Sequence, residues 1–267
     1  MPHITRRWVA FAAAPSLIVV GAFVVHQPAA AEAGEYVALG DSYASGLGTR
    51  EYDPGSGDCK RSPRAYAPID AARIGATLTF VACSGAEVGD VVHNQIGELD
   101  AATAWVTVQV GGNDAGFSEV ITECALPRLA SDCRGAVADA QAIITNTLPG
   151  RLDSLYSEIS SRAPSAGVVV VGYPRLFNGE DCNAATFFSP EDERILNETA
   201  DLLGSTIAGV ASSHGFAFVD PIPAFVGHAV CDDPEWINGL SHPVNESYHP
   251  NRDGQLAYAD LVDDYLG

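Results

Sequence analysis

The chain has 267 residues, with 34 Asp and Glu against 14 Lys and Arg and a formal net charge of −20. A surface this acidic repels nucleic acid and anionic membranes, which argues against a nucleic-acid-binding role. Charge of this kind keeps a protein soluble and says nothing about its fold.

The N-terminus reads as a leader. Arg6-Arg7 precede an apolar stretch from Trp8 to Val25, followed by His26-Gln27-Pro28 and the small-residue tract AAAEA. That order is expected of a secretory signal peptide over residues 1–33, cut after Ala31 or Ala33. An uncleaved anchor is the alternative, and Arg6-Arg7 fits a twin-arginine signal poorly. Removing 1–33 takes away two arginines and Glu32, leaving 12 basic against 33 acidic residues. Residues 34–267 then suffice for one domain, with no repeat, no linker and no second apolar segment of spanning length.

Five apolar runs in the mature part read as buried strands: YVALG (36–40), LTFVA (78–82), WVTVQVG (105–111), GVVVVGYP (167–174) and FAFVD (216–220). Near-continuous apolar runs are expected of a parallel sheet covered on both faces. Helical patterns lie between them. PRAYAPIDAARIG (63–75) starts with proline and stops at glycine, and residues 135–162 have helical spacing interrupted at Pro149-Gly150. A third pattern at 189–215 opens on Ser189-Pro190 and an acidic first turn, a good helix start. The last runs from near Asn251 to Tyr265. Alternating strand and helix predicts an α/β domain with a three-layer α/β/α architecture and a five-stranded parallel sheet.

All six cysteines (Cys59, Cys83, Cys124, Cys133, Cys182 and Cys231) lie after the leader. An even number in an exported chain, without a C-x-x-C pair, reads as disulfides and not as a metal site. Spacing alone leaves their connectivity open.

In sheets of this kind the site lies beyond the carboxyl ends of the strands. The first strand ends in Gly40-Asp41-Ser42, the second runs into Cys83-Ser84-Gly85, and the third into Gly111-Gly112-Asn113-Asp114. After the fifth, a long loop leads to SYHPNRDG (247–254), where His249 stands before the final helix. A hydroxyl, a histidine and neutral N–H donors at one rim are what acyl transfer needs: a nucleophile, a base and an oxyanion site. The absence of a G-x-S-x-G motif argues against a nucleophile elbow.

These blocks, in this order, resemble those of the SGNH (GDSL) hydrolases, and the likeness spans residues 36 to about 254. The leader and six cysteines are similar to the secreted actinobacterial lipase and esterase branch. The resemblance implies a flavodoxin-like SGNH hydrolase fold and disulfides in chain order, Cys59–Cys83, Cys124–Cys133 and Cys182–Cys231. It implies Ser42 as nucleophile and His249 as general base. The oxyanion hole would consist of the Ser42 N–H, the Gly85 N–H and the Asn113 side chain. Each residue type suits its role: glycine does not obstruct close approach, and Asn can donate where Asp could only accept. The helix after Ser42 is expected to turn its positive end toward the developing charge.

One position departs from the family. Many members carry an aspartate three residues before the histidine; here Glu246 stands there, one methylene longer. Some members of the secreted branch instead resemble a dyad, with a main-chain carbonyl two residues before the histidine. That residue is Ser247, and its carbonyl is the favoured orienter over the Glu246 carboxylate.

Plainer readings compete. Ser42 alone could be a helix N-cap, Asp41 is expected to be structural, and Asn113-Asp114 alone would be a turn. His242 also precedes a proline, but Asn251 and Asp253 open a helix directly after His249. His93, His214 and His228 read as loop or surface residues. Acidic residues at 51–58 and 231–235 lack a calcium loop and read as solvated faces. The expectation is a secreted, monomeric serine ester hydrolase without metal or cofactor. Its substrates would be carboxylic esters, most of all lipid esters, with acylglycerols first and the acyl chains of phospholipids (a phospholipase A activity) second, and no membrane anchor remains once the leader is removed. The alternatives are a polysaccharide or polar-ester deacetylase of the same fold, or a non-catalytic binding protein on this scaffold.

Overall fold

Each of the five apolar runs forms a parallel strand in the structure, a computed structural model that describes residues 2–3 and 34–266. The apolar core and cleavage site expected of a signal peptide lie outside the described residues. β1 (Glu35–Gly40) is followed by α1 (Ser42–Ser45) and α2 (Tyr66–Ile74), then β2 (Thr77–Phe80) and α3 (Val88–Asn94). Next come β3 (Thr103–Gln109), α4 (Phe117–Cys124), α5 (Cys133–Asn146), α6 (Leu148–Arg162) and β4 (Gly167–Val171). α7 (Pro190–Ser213), β5 (Ala217–Val219), α8 (Ile222–Phe225) and α9 (Arg252–Leu266) complete the order.

The sheet order is β2-β1-β3-β4-β5. The chain first steps outward from β1 to β2, then crosses back to β3 and proceeds the other way. The order therefore reverses between the adjacent strands β1 and β3, where an open α/β sheet leaves a crevice. β1 is buried from Tyr36 to Leu39 because strands flank it and helices cover both faces. β2 departs from the expected buried run. As an edge strand it is only partly covered from Leu78 to Phe80.

One face of the sheet carries α2 packed on α9; the other carries α3, α5, α6 and α7. α6 shows why the pattern works: Leu148, Leu152, Leu155, Tyr156 and Ile159 recur at helical spacing and are fully buried. Burying one such side chain contributes about 1.5–3 kcal/mol. The break expected at Pro149-Gly150 falls earlier, at Thr147. Pro149 sits in the first turn of α6, where its missing N–H costs no helical hydrogen bond, so it opens that helix instead of interrupting it. The short helices α3, α4 and α8 carry too few periodic positions to stand out in the sequence.

All three disulfides pair in chain order: Cys59–Cys83, Cys124–Cys133 and Cys182–Cys231, with separations of 24, 9 and 49 residues. Each stabilises the fold by roughly 2–4 kcal/mol, mainly by restricting the unfolded chain. Two also shape the rim. Cys59–Cys83 ties residues 54–59 to the turn carrying Gly85, and Cys124–Cys133 joins the end of α4 to the start of α5.

Candidate active site

Ser42 stands where β1 ends against β3. Gly40 has φ +141°, and a Cβ there would lie 2.4 Å from the Gln109 carbonyl oxygen, so only glycine fits. Buried Gln95 accepts from the Gly40 N–H at 2.8 Å and donates to its carbonyl at 2.9 Å, fixing the turn from both sides. The N-cap of α1 is Asp41, whose Oδ1 accepts from the Tyr43 N–H at 2.9 Å. Ser42 is thus the first helical residue, and its hydroxyl is not consumed in capping. The helix itself is a single turn, ended by Gly46 at φ +83°. The expected dipole along a longer helix therefore reduces to the N–H groups of that turn.

Both carboxylate oxygens of Asp41 are engaged within the fold. The second, Oδ2, accepts the Tyr173 hydroxyl at 2.5 Å. Burial pushes its carboxyl up to about 7, against hydrogen bonds from Tyr173 and Tyr43 that favour the ionised form.

His249 meets Ser42 across 207 residues. The Ser42 hydroxyl is 2.8 Å from Nε2, and Nδ1 is 2.8 Å from the Ser247 carbonyl oxygen. A carbonyl can only accept, so Nδ1 carries the proton and Nε2 is left to accept from Ser42. Both residues are buried, and burial lowers the His249 pKa to about 4, partly opposed by the Ser247 carbonyl. The imidazole is therefore neutral at neutral pH, with the Nε2 lone pair free to accept a proton.

Glu246 is buried but turned elsewhere. Its Oε1 accepts the Tyr52 hydroxyl at 2.6 Å, and Oε2 lies 3.4 Å from the Arg50 Nε. No hydrogen bond joins it to His249 among the described residues. His242 is exposed in the loop before it.

Gly85 and Asn113 follow β2 and β3, on either side of Ser42. Gly85 has φ +82°, a left-handed conformation that favours glycine. Asn113 Nδ2 donates one hydrogen to the Ala86 carbonyl at 3.0 Å, leaving its second for a ligand. Neither the Ser42 nor the Gly85 N–H has an acceptor among the described residues. Three N–H donors thus remain unspent at the ends of β1, β2 and β3, which are adjacent in the sheet. Such a set can hold a negative oxygen, and in a site this buried the interaction is strong.

Sequence reasoning missed the residues that hold these groups in register. Asp114, buried, accepts from the Val88 N–H at 2.9 Å and from Arg151 Nη1 at 2.7 Å, clamping the Asn113 loop to the segment after Gly85. Asn238 donates to the carbonyls of Gly48 and His249 at 3.0 and 3.1 Å. These contacts span long stretches of chain and leave no local pattern. An apolar cavity opens on Ser42 and Asn113 and runs between α4, α5 and α7, lined by Phe117, Ile121, Ile144, Leu196 and Leu203.

The family of GDSL-like lipases and acylhydrolases matches residues 38–257. Lipase 1 of Streptomyces coelicolor is 44% identical over 232 residues, covering 86% of this chain and 84% of the relative. The crystal structure of phospholipase A1 from Streptomyces albidoflavus has a TM-score of 0.83 at 44% identity, over 87% of this chain and 99% of that one. The extracellular lipase of Streptomyces rimosus is similar, with a TM-score of 0.82 at 41% identity, over 87% and 99%. With this sheet and these relatives, the protein is an α/β carboxylic ester hydrolase. It belongs to the GDSL-like lipase/acylhydrolase family.

Proposed function

We propose that the protein is a secreted lipid-ester hydrolase that works through an acyl-enzyme on Ser42. His249 Nε2 takes the proton as Ser42 Oγ attacks the ester carbonyl, while the Ser247 carbonyl holds the Nδ1 proton and stabilises the imidazolium. The oxyanion is met by the N–H groups of Ser42 and Gly85 and the Asn113 side chain. His249 then returns the proton to the departing alcohol, and water repeats the sequence to release the acid.

The observation that carries this reading is the apolar cavity that opens on Ser42 and Asn113. A polar sugar acetate has nothing to place there, whereas an acyl chain gains about 0.8 kcal/mol for each buried methylene. Release outside the cell is supported by three disulfides, an expected leader and an extracellular relative. The test is p-nitrophenol release from a ladder of acyl esters, from acetyl to palmitoyl, with Ser42→Ala as control. Turnover that persists beyond butyryl and vanishes in Ser42→Ala is expected. Activity confined to the acetyl ester would make the protein a deacetylase. No turnover at all would leave a binding protein on this scaffold.

A further inference from the structure

The candidate oxyanion donors divide the rim of the sheet in two. The acyl cavity lies on the side of β3 and β4. Beyond Gly85, on the side of β2, lies a second cavity lined by Arg61, Ser84, Gly85, Asp90, Asn94 and Gln95. An ester with its carbonyl oxygen among the donors and its acyl chain in the first cavity has its alcohol portion free to extend toward the second.

The charges at this cavity are unusual for the chain. Against 34 acidic residues, arginines find partners readily, and Arg50, Arg64, Arg73, Arg151 and Arg252 are all ion-paired. Among the described residues, the basic side chains without an ion pair are Lys60, Arg61 and Arg128. Arg128 is exposed in the loop after α4, whereas Lys60 and Arg61 are adjacent, half-buried and next to the second cavity. The Arg61 guanidinium has one long contact, from Nη1 to the Ala82 carbonyl at 3.4 Å, and its other N–H groups remain available. Asp90 is the one carboxylate lining the cavity, and its Oδ2 is engaged by the Glu87 N–H at 3.0 Å. The segment is held in place, because Cys59 is bonded to Cys83 and its carbonyl accepts from the Ser84 N–H at 3.0 Å.

We propose that this cavity is a subsite for the phosphodiester of a glycerophospholipid, with Arg61 as the specificity-determining contact and Lys60 in support. The planar guanidinium fork matches two phosphate oxygens at once, and charge-assisted hydrogen bonds of that kind outlast the partial screening of a half-buried site. A diacylglycerol presents only a hydroxyl there and gains nothing from the cation. The assignment rests on the acyl-enzyme reading and on the acyl chain occupying the apolar cavity.

The test compares phosphatidylcholine with diacylglycerol of identical acyl chains, each in the same neutral detergent micelles, for the wild type and Arg61→Gln. The variant is expected to lose about tenfold in kcat/KM on the phospholipid, the scale of one hydrogen bond to a charged group, with the loss mostly in KM. Its kcat/KM on diacylglycerol and its Tm should be unchanged. Inorganic phosphate should compete with phospholipid hydrolysis by the wild type and lose that effect in Arg61→Gln. An equal loss on both lipids, an undiminished phospholipid rate, or phosphate inhibition that survives in the variant would overturn the subsite. Failure of the acyl-enzyme reading would show separately, as a wild type inactive on diacylglycerol and p-nitrophenyl esters alike.

Discussion

The hydroxyl of Tyr43 donates to the main-chain carbonyl of Tyr248 at 2.7 Å, joining residues 205 positions apart. Tyr43 follows the candidate nucleophile and Tyr248 precedes the candidate base, so this hydrogen bond, together with the Asn238 bridge, ties the two halves of the dyad to each other. Tyr248 has φ +60°, a conformation that a bulky residue adopts only when its surroundings impose it. The Tyr43 ring also packs against His249, with centroids 5.1 Å apart.

Tyr43→Phe keeps that packing and removes only the hydroxyl. Loss of one buried hydrogen bond is expected to cost about 1–2 kcal/mol of stability. The freed loop should also lower kcat by about tenfold or more, because a small misplacement of a catalytic group is expensive. Thermal melting and steady-state kinetics on a soluble ester check both. A variant with wild-type kcat would show that the bond does not position His249.

Glu246→Gln separates the two possible orienters of His249. The Glu246 carboxylate is occupied by Tyr52 and Arg50, and the Ser247 carbonyl holds Nδ1, so kcat is expected to fall by less than about tenfold. A triad carboxylate would lose on the order of 10⁴ on amide replacement. A measured loss near that figure would make Glu246 part of the catalytic machinery.

Asn113→Ala should cost about 10²–10³ in kcat with little change in KM, the usual loss for one oxyanion donor. Asn113→Asp should be no better, because a carboxylate cannot donate and would repel the oxyanion. A change confined to KM would move Asn113 from transition-state stabilisation to substrate binding.

The pH dependence follows from the burial of His249. Only the neutral imidazole can accept the Ser42 proton, and burial holds its pKa near 4 instead of 6.5. The acid limb of kcat/KM on a neutral soluble ester is therefore expected near pH 4. Between about 6.5 and 4 the unfolded chain takes up this proton before the folded one does, so His249 makes stability fall as pH falls through that window. A limb at 6.5 that persists in the intact fold would mean that water reaches the imidazole.

Much of this was legible in the residues themselves. The strand runs, the serine after β1, the glycine and asparagine at neighbouring strand ends and the histidine before α9 are local patterns, and each follows from backbone rules acting over a few residues. Those same rules place strand ends on one rim, so the composition of the site could be listed without its geometry. What needed the tertiary structure were the contacts made between distant segments. That Glu246 faces Tyr52 and Arg50 while the Ser247 carbonyl faces Nδ1 depends on how residues 50–52 pack beneath the 238–249 loop. That position 46, where α1 ends, has no room for a side chain depends on Ala65, whose Cβ would lie 2.8 Å from one placed there. The clamp from Arg151 through Asp114 to Val88 joins three elements and has no sequence period. Local propensity acts within a turn or a strand, whereas the orientation of a buried polar group is decided by whichever partner the whole fold brings within hydrogen-bond reach.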